Sequence, residues 1–208
     1  MSSREEILAR VRDRLARHVP QAESAQTPPQ PAFARDAAAL RRRFIERSLV
    51  LSTTVDEVAA RTDVPAAVRR FLDAHALGSD AVIWPQLSDL DWAAAGVRTQ
   101  ARGARGDDAV GITGALCAVA ETGTLLLCSS PDTPATVSLL PATHIAVVEA
   151  GTILATMEEA FARARATFAT LPRALNFISG PSRTADIEQT LVLGAHGPCR
   201  VHLVIVGA

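Results

Sequence analysis

Tyrosine is missing from this 208-residue chain, and aromatic residues together make up only 4% of it. So few rings leave little with which to stack bases or line a sugar groove, which argues against single-strand nucleic-acid or glycan binding. An excess of either charge is lacking as well. A formal net charge of -1 gives no general attraction to nucleic acid or an acidic membrane. Cysteine is scarce: Cys117, Cys128 and Cys199 are odd in number and widely spaced, and their apolar surroundings suit buried free thiols. No C-x-x-C pair of the kind that an iron–sulfur cluster or structural zinc requires is present. Any redox centre is therefore expected on a partner and not in this chain. No segment reaches the roughly 18 to 20 apolar residues needed to span a bilayer. The start, Met1 to Ile7, reads as a helix with a capping box and not as a leader, so a cytoplasmic location is expected.

What is present suits a folded domain of enzyme size. Hydrophobic residues form 48% of the chain, enough for a substantial core, and the length favours one domain with an appendage. Residues 3–17 place Ile7, Val11 and Leu15 on one helical face with Leu8 beside them. A lone helix of that length is marginal, so it must pack on its own domain or on a neighbouring chain. Residues 18–32, with Pro20, Pro28, Pro29 and Pro31, read as a semi-extended linker. The division is thus 1–32 for an arm and linker and 33–208 for the main domain.

Within that domain helices are predicted over 34–48 and 54–77, the second interrupted near Asp63, which caps the helix that Pro65 opens. The basic run Arg41, Arg42, Arg43 and Arg47 is either a surface for an acidic partner or the solvated side of a helix whose apolar side is Leu40 and Phe44. Strands are predicted at 81–84, 97–99, 110–119, 124–128, 144–148, 176–179 and 201–206, with a helix at 156–169. Runs such as Ile145 to Val148 and Leu203 to Val206 are apolar without alternation, which implies burial on both faces. Strands separated by helices point to an α/β protein, a three-layer α/β/α arrangement around a mostly parallel sheet. Ala120 to Thr124 reads as a tight reversal in which Gly123 takes a positive φ.

Three groups carry candidate chemistry. The first is Ile178 to Glu188, where an apolar run passes through Ser179, Gly180, Ser182, Arg183 and Thr184 into a predicted helix over 184–193. Free N–H groups at a helix start, the positive end of its dipole and Arg183 would converge on an anion; a plain capped helix start is the alternative. The second is the loop of Gly194, His196 and Gly197, whose backbone can approach a ligand closely; the alternative is a loop histidine favoured near a helix carboxyl end. The third is Glu121, the only carboxylate between residues 109 and 131, either a desolvated acid, base or nucleophile or an exposed turn residue. His144, Asp186 and Glu188 show no recognisable ligand spacing, and no metal site is expected.

Gly111-Ile112-Thr113-Gly114-Ala115, then Ala120 to Leu127, Ser138 to Ile145, and the string from Ile178 through Pro198 to Val206 together resemble the LUD-domain family, in its lactate-utilisation protein C group. The resemblance covers roughly residues 80–206 and rests on the order and spacing of separate motifs. It implies the α/β fold of the sugar-phosphate isomerases and CoA transferases, with a glutamate at the Glu121 position as the catalytic candidate by analogy of fold. It also implies a part in cytoplasmic oxidation of L-lactate to pyruvate, with iron–sulfur partner subunits and a small organic acid or phosphate as ligand. A free-standing isomerase, CoA transferase or cyclo-ligase acting on a phosphate or carboxylate is the other reading. One departure stands out: between Ser129 and Ser138 this chain has no basic residue, where the family pattern carries one.

Overall fold

The computed structural model describes residues 3–17, 32–184 and 192–207. The chain divides into two compact units, Met1–Ala32 and Phe33–Ala208. The first holds helix α1 (Ser3–Arg17), with Glu5 and Glu6 in its first turn, where they suit the positive helix end. Its Ile7, Leu8 and Val11 are all exposed within the structure described.

The second unit contains, in order, α2 (Ala37–Val50), β1 (Thr54–Val58), α3 (Val64–Ala74), β2 (Asp80–Ile83), β3 (Arg98–Ala101), β4 (Val110–Thr113), β5 (Cys117–Val119) and β6 (Thr124–Cys128). It continues with α4 (Thr136–Leu139), β7 (Thr143–Glu149), β8 (Ile153–Leu154), α5 (Met157–Thr167), β9 (Leu175–Ile178), β10 (Arg183–Thr184), β11 (Val192–Leu193) and β12 (Arg200–Val206). Six strands form one sheet in the order β1-β12-β7-β4-β2-β3, and every neighbouring pair is parallel. The central β7 and β12 are buried almost end to end, which is why their sequences are apolar on both faces. In the register His144 lies opposite Val201, so His144 and His202 point to opposite faces of the sheet. His202 stacks on Phe71 of α3 with 4.0 Å between ring centroids. On the other face a side chain at Gly111, the register partner of His144, would overlap the carbonyl of Val137 in α4. Helices thus cover both faces, and the α/β expectation holds.

A smaller sheet, β8-β5-β6-β9, is mixed. Its alternation separates two apolar layers: Ala118, Leu125 and Leu127 join the main core, while Cys117, Val119, Leu126 and Cys128 pack with Ala160 and Ala164 of α5.

Four segments differ from the sequence-based expectation. The run 110–119 is two strands in different sheets, because the chain leaves the large sheet at Gly114 and Ala115. The 54–77 segment begins as β1 and only then becomes α3; Asp56 and Glu57 on this edge strand disguise it, as charges on exposed edges do. Asp63 stands at the α3 cap position, yet its carboxylate accepts from the Ala60 amide instead of the helix. The 175–178 strand runs antiparallel to β6 in the small sheet and not in the parallel one. Finally, Arg183 and Thr184 pair antiparallel with Leu193 and Val192, so the ends of the predicted 184–193 helix are strand; 185–191, including Asp186 and Glu188, lies outside the described residues.

Candidate functional site

In an open parallel sheet the loops after the strands diverge where the strand order reverses, and that crevice is the natural ligand site. Here β2 leads to β3 at one edge, whereas β4 leads on towards β7 in the other direction. A cleft of about 290 Å³ lies at this position, bounded by Trp84 after β2, Gly114 and Ala115 after β4, and Val147 and Glu149 at the end of β7. Leu87, Phe168 and Cys128 add apolar wall, and Ser130 and Thr133 come from the loop after β6.

The one cation in the cleft lining is Arg61, in a short helical turn just after β1. Its Nη2 donates to Asp89 at 3.1 Å and to the Gln86 carbonyl at 3.2 Å, and its Nη1 lies 3.6 Å from Glu149. The Arg61 hydrogen bond holds the Asp89 carboxyl below the usual carboxylate range. The Glu149 side chain remains 48% exposed. Trp84 Nε1 donates to the Pro134 carbonyl at 3.0 Å, which fixes the indole against the loop after β6. Ser130 and Thr133 hydroxyls bond to each other at 2.8 Å, and Thr133 donates to the Cys128 carbonyl, so this loop is a shaped wall. This loop holds no basic residue between Ser129 and Ser138, and the cation of the cleft comes from the β1 side. Burial pushes the thiols of Cys117 and Cys128 up to about 11, so at neutral pH both stay protonated and unreactive.

Beneath the cleft the motif Gly111 to Ala115 divides its labour. Gly111 admits α4, Thr113 Oγ1 bonds His144 Nε2 at 2.8 Å, and Gly114 and Ala115 face the cavity. His144 is completely buried and its Nδ1 has no hydrogen-bond partner among the described residues; desolvation lowers its pKa to about 4. His202 is similar, with Nδ1 bonded to Thr54 Oγ1 at 2.9 Å and a pKa lowered to about 4, chiefly by burial. Both are neutral core histidines at physiological pH.

The residues singled out from sequence gather elsewhere. Glu121 is half-buried in the β5–β6 turn; its amide donates to Ala155 and its carbonyl accepts from Arg47 Nε. Gly123 has φ +70°, and an added Cβ would come within 2.8 Å of the Ser48 amide nitrogen, so the turn sits directly on the carboxyl end of α2. Thr124 Oγ1 bonds Ser179 Oγ at 2.7 Å, which ties this turn to the start of the 179–184 loop. Gly180 rests on Leu51, and Arg183 Nη2 donates to the Leu51 carbonyl at 3.2 Å and to Ser52 Oγ. The Ser182 amide donates to Pro198, the Gly194 amide donates to Ser182, and Gly197 lies beside Ser182. The His196 side chain is exposed and Thr184 pairs with Val192. The structure therefore brings Glu121, Ser179, Gly180 and Arg183 onto the end of α2, with Ser182, Gly194 and Gly197 adjoining. None of them lines the cleft.

Arg61, Trp84, Ser130, Thr133 and Glu149 were missed because no short motif marks them. Their signal is position, at or just beyond the end of a strand, and for Arg61 that strand is itself disguised by Asp56 and Glu57. Among the described residues no group of three or more His, Cys, Asp or Glu side chains could hold a metal ion. No described helix is long and apolar enough to cross a membrane.

The architecture defines an α/β protein with a crevice at the switch point of a parallel sheet, and a solved structure shares the fold. A DUF162 family protein from Deinococcus radiodurans superposes with a TM-score of 0.61 over 84% of this chain and 100% of that one, at 22% identity. The LUD domain family matches residues 2–206, and the chain belongs to that family. Among curated relatives, Lactate utilization protein C of Bacillus licheniformis is 38% identical over 129 residues, 59% of this chain and 53% of the relative. The protein of the same name from Bacillus subtilis is 44% identical over 100 residues, 47% of this chain and 42% of the relative. The chain thus matches about half the length of these relatives.

Proposed function

We propose that this protein acts in lactate utilisation, as a subunit of a cytoplasmic system that oxidises L-lactate to pyruvate. The observation that carries this reading is the 38–44% identity to proteins named lactate utilization protein C. Oxidation of lactate releases two electrons and two protons, and in this reading the electrons pass to iron–sulfur subunits that associate with the chain. Its own share is to hold a small organic acid or another anion. The cleft at the ends of β2, β4 and β7 supports such a role, since it places one guanidinium and one carboxylate against an apolar wall.

Deleting the gene tests the reading. Growth on L-lactate as sole carbon source should stop, growth on pyruvate should continue, and a plasmid copy should restore the first. Undiminished growth on L-lactate would overturn the assignment. Protein purified by affinity from lactate-grown cells should carry with it subunits containing iron and acid-labile sulfide.

A further inference from the structure

We infer that the cleft is a binding site for 2-hydroxy carboxylates, in which Arg61 takes the carboxylate and Glu149 accepts the hydrogen bond from the hydroxyl on the adjacent carbon. The argument begins with the Arg61–Glu149 pair. At 3.6 Å it is an ion pair too long for a hydrogen bond, so Nη1 keeps donor capacity that a ligand can use. The guanidinium is nonetheless held in place, because Nη2 is anchored by Asp89 and by the Gln86 carbonyl. A fixed Nη1 donor beside an exposed acceptor is complementary to a molecule with a carboxylate on one carbon and a hydroxyl donor on the next. A simple carboxylate satisfies only half of that pair.

The walls complete the match. Leu87, Val147 and Phe168 border the polar pair with apolar surface, suited to the carbon chain of such an acid. Because Trp84 Nε1 is already bonded to Pro134, the indole contributes surface and not a donor. The volume of about 290 Å³ exceeds what a three-carbon acid fills, so the site suits a class of 2-hydroxy acids with differing side chains and not lactate alone. The hydroxy-acid identity rests on the lactate-utilisation reading; the division of labour between Arg61 and Glu149 rests on the geometry.

Calorimetry on the purified full-length protein tests it, with L-lactate, propionate and L-alanine as probes. These differ only in what the second carbon carries: a hydroxyl, nothing polar, or an ammonium. Wild-type protein should bind L-lactate about tenfold more tightly than propionate, the value of one charge-assisted hydrogen bond. Glu149→Ala should bring that ratio close to one, whatever the absolute affinities, because removing Glu149 also frees Arg61. Arg61→Ala should weaken both acids at least tenfold, with an unchanged urea midpoint showing that the fold is intact. Absence of L-lactate binding, or a lactate-to-propionate ratio that survives Glu149→Ala, would overturn the inference. Tighter binding of L-alanine than of L-lactate would overturn the hydroxy-acid assignment. Growth on lactate lost on gene deletion while purified protein ignores L-lactate would leave the functional proposal standing and remove this one; the reverse pattern would do the opposite.

Discussion

At the amino ends of its parallel strands this protein is tied shut, and at the carboxyl ends it is open. The amino side carries the approach to β1 and β12, where Arg183 reaches Leu51 and Ser52, Ser182 bonds Pro198, and the Glu121 turn lies on the last turn of α2. The Arg183 guanidinium and the Ser182 and Glu121 backbone groups all have partners within the chain, and a cation at a helix carboxyl end stabilises the fold by itself. On the carboxyl side Glu149 is half exposed, Arg61 is anchored through one nitrogen, and an apolar cleft stands beside them. Both ends bear loops rich in glycine, hydroxyls and arginine. Composition does not separate them; position relative to the strand direction does.

If this contrast is right, perturbing the amino half should cost stability and leave ligand binding alone. Acid should give the largest effect. His144 and His202 sit in the first halves of β7 and β12 with pKa values lowered to about 4, against an ordinary 6.5. Because the folded values lie below the unfolded ones, the unfolded state binds more protons between them. Stability is then constant above about pH 6.5 and falls as pH drops towards 4, at up to about 1.4 kcal/mol per pH unit for each histidine. Urea midpoints at pH 7, 5.5 and 4.5 measure this, and His202→Gln should make the decline shallower. A pH-independent midpoint over that range would show that these rings are not the neutral core groups described.

Gly123→Ala should come next. Its φ of +70° is unfavourable for a residue with a Cβ, and that Cβ would press on the backbone of Arg47 and Ser48. Strain and overpacking together should lower stability by about 2 to 3 kcal/mol, read from chemical denaturation. The affinity of the cleft for its ligand should be unchanged.

How much of this was legible in the sequence follows the same division. The buried strands β7 and β12, helix α5 and the Gly123 reversal were readable, because unbroken apolar runs, helical spacing and a turn glycine are local signals. Strand β1 was not, since Asp56 and Glu57 interrupt the pattern on an edge paired on one side only. The break at Gly114 and the antiparallel placement of β9 were also hidden, because an apolar run does not record its pairing partner. The 179–184 and 194–197 loops were read as two separate groups; the Ser182 to Gly194 and Pro198 hydrogen bonds join them in space, a pairing that the spacing of the two motifs does not record. The cleft was invisible, as Arg61, Trp84 and Glu149 are distant in sequence and become a set only once the strand order β1-β12-β7-β4-β2 is known.

Arg183→Ala sharpens the comparison at smaller magnitude. It removes hydrogen bonds to Leu51 and Ser52 and a positive charge at the α2 carboxyl end, so a loss of about 1 kcal/mol is expected in the denaturation midpoint. L-Lactate affinity should stay within experimental error of wild type. A large fall in affinity with little change in stability would move the ligand site to the amino end and erase the contrast.

The smallest stability effect, and the most discriminating, is expected for Arg61→Ala. Its contacts with Asp89 and Glu149 join groups that are 38 to 62% exposed, where ion pairs contribute at most about 1 kcal/mol and are weakened by salt. The Gln86 hydrogen bond is likewise at the surface, where water replaces the lost donor. The variant should therefore unfold within about 0.5 kcal/mol of wild type, and raising the salt concentration should narrow even that difference. Its neighbours Leu87 and Trp84 are held by their own contacts, the latter through Pro134, so the cleft should keep its shape without the guanidinium. A near-neutral change in stability combined with lost carboxylate binding marks a residue present for recognition. If Arg61→Ala instead destabilised the protein by several kcal/mol, Arg61 would belong with Arg183 as a tie between chain segments, and the two ends of the sheet would no longer differ in kind.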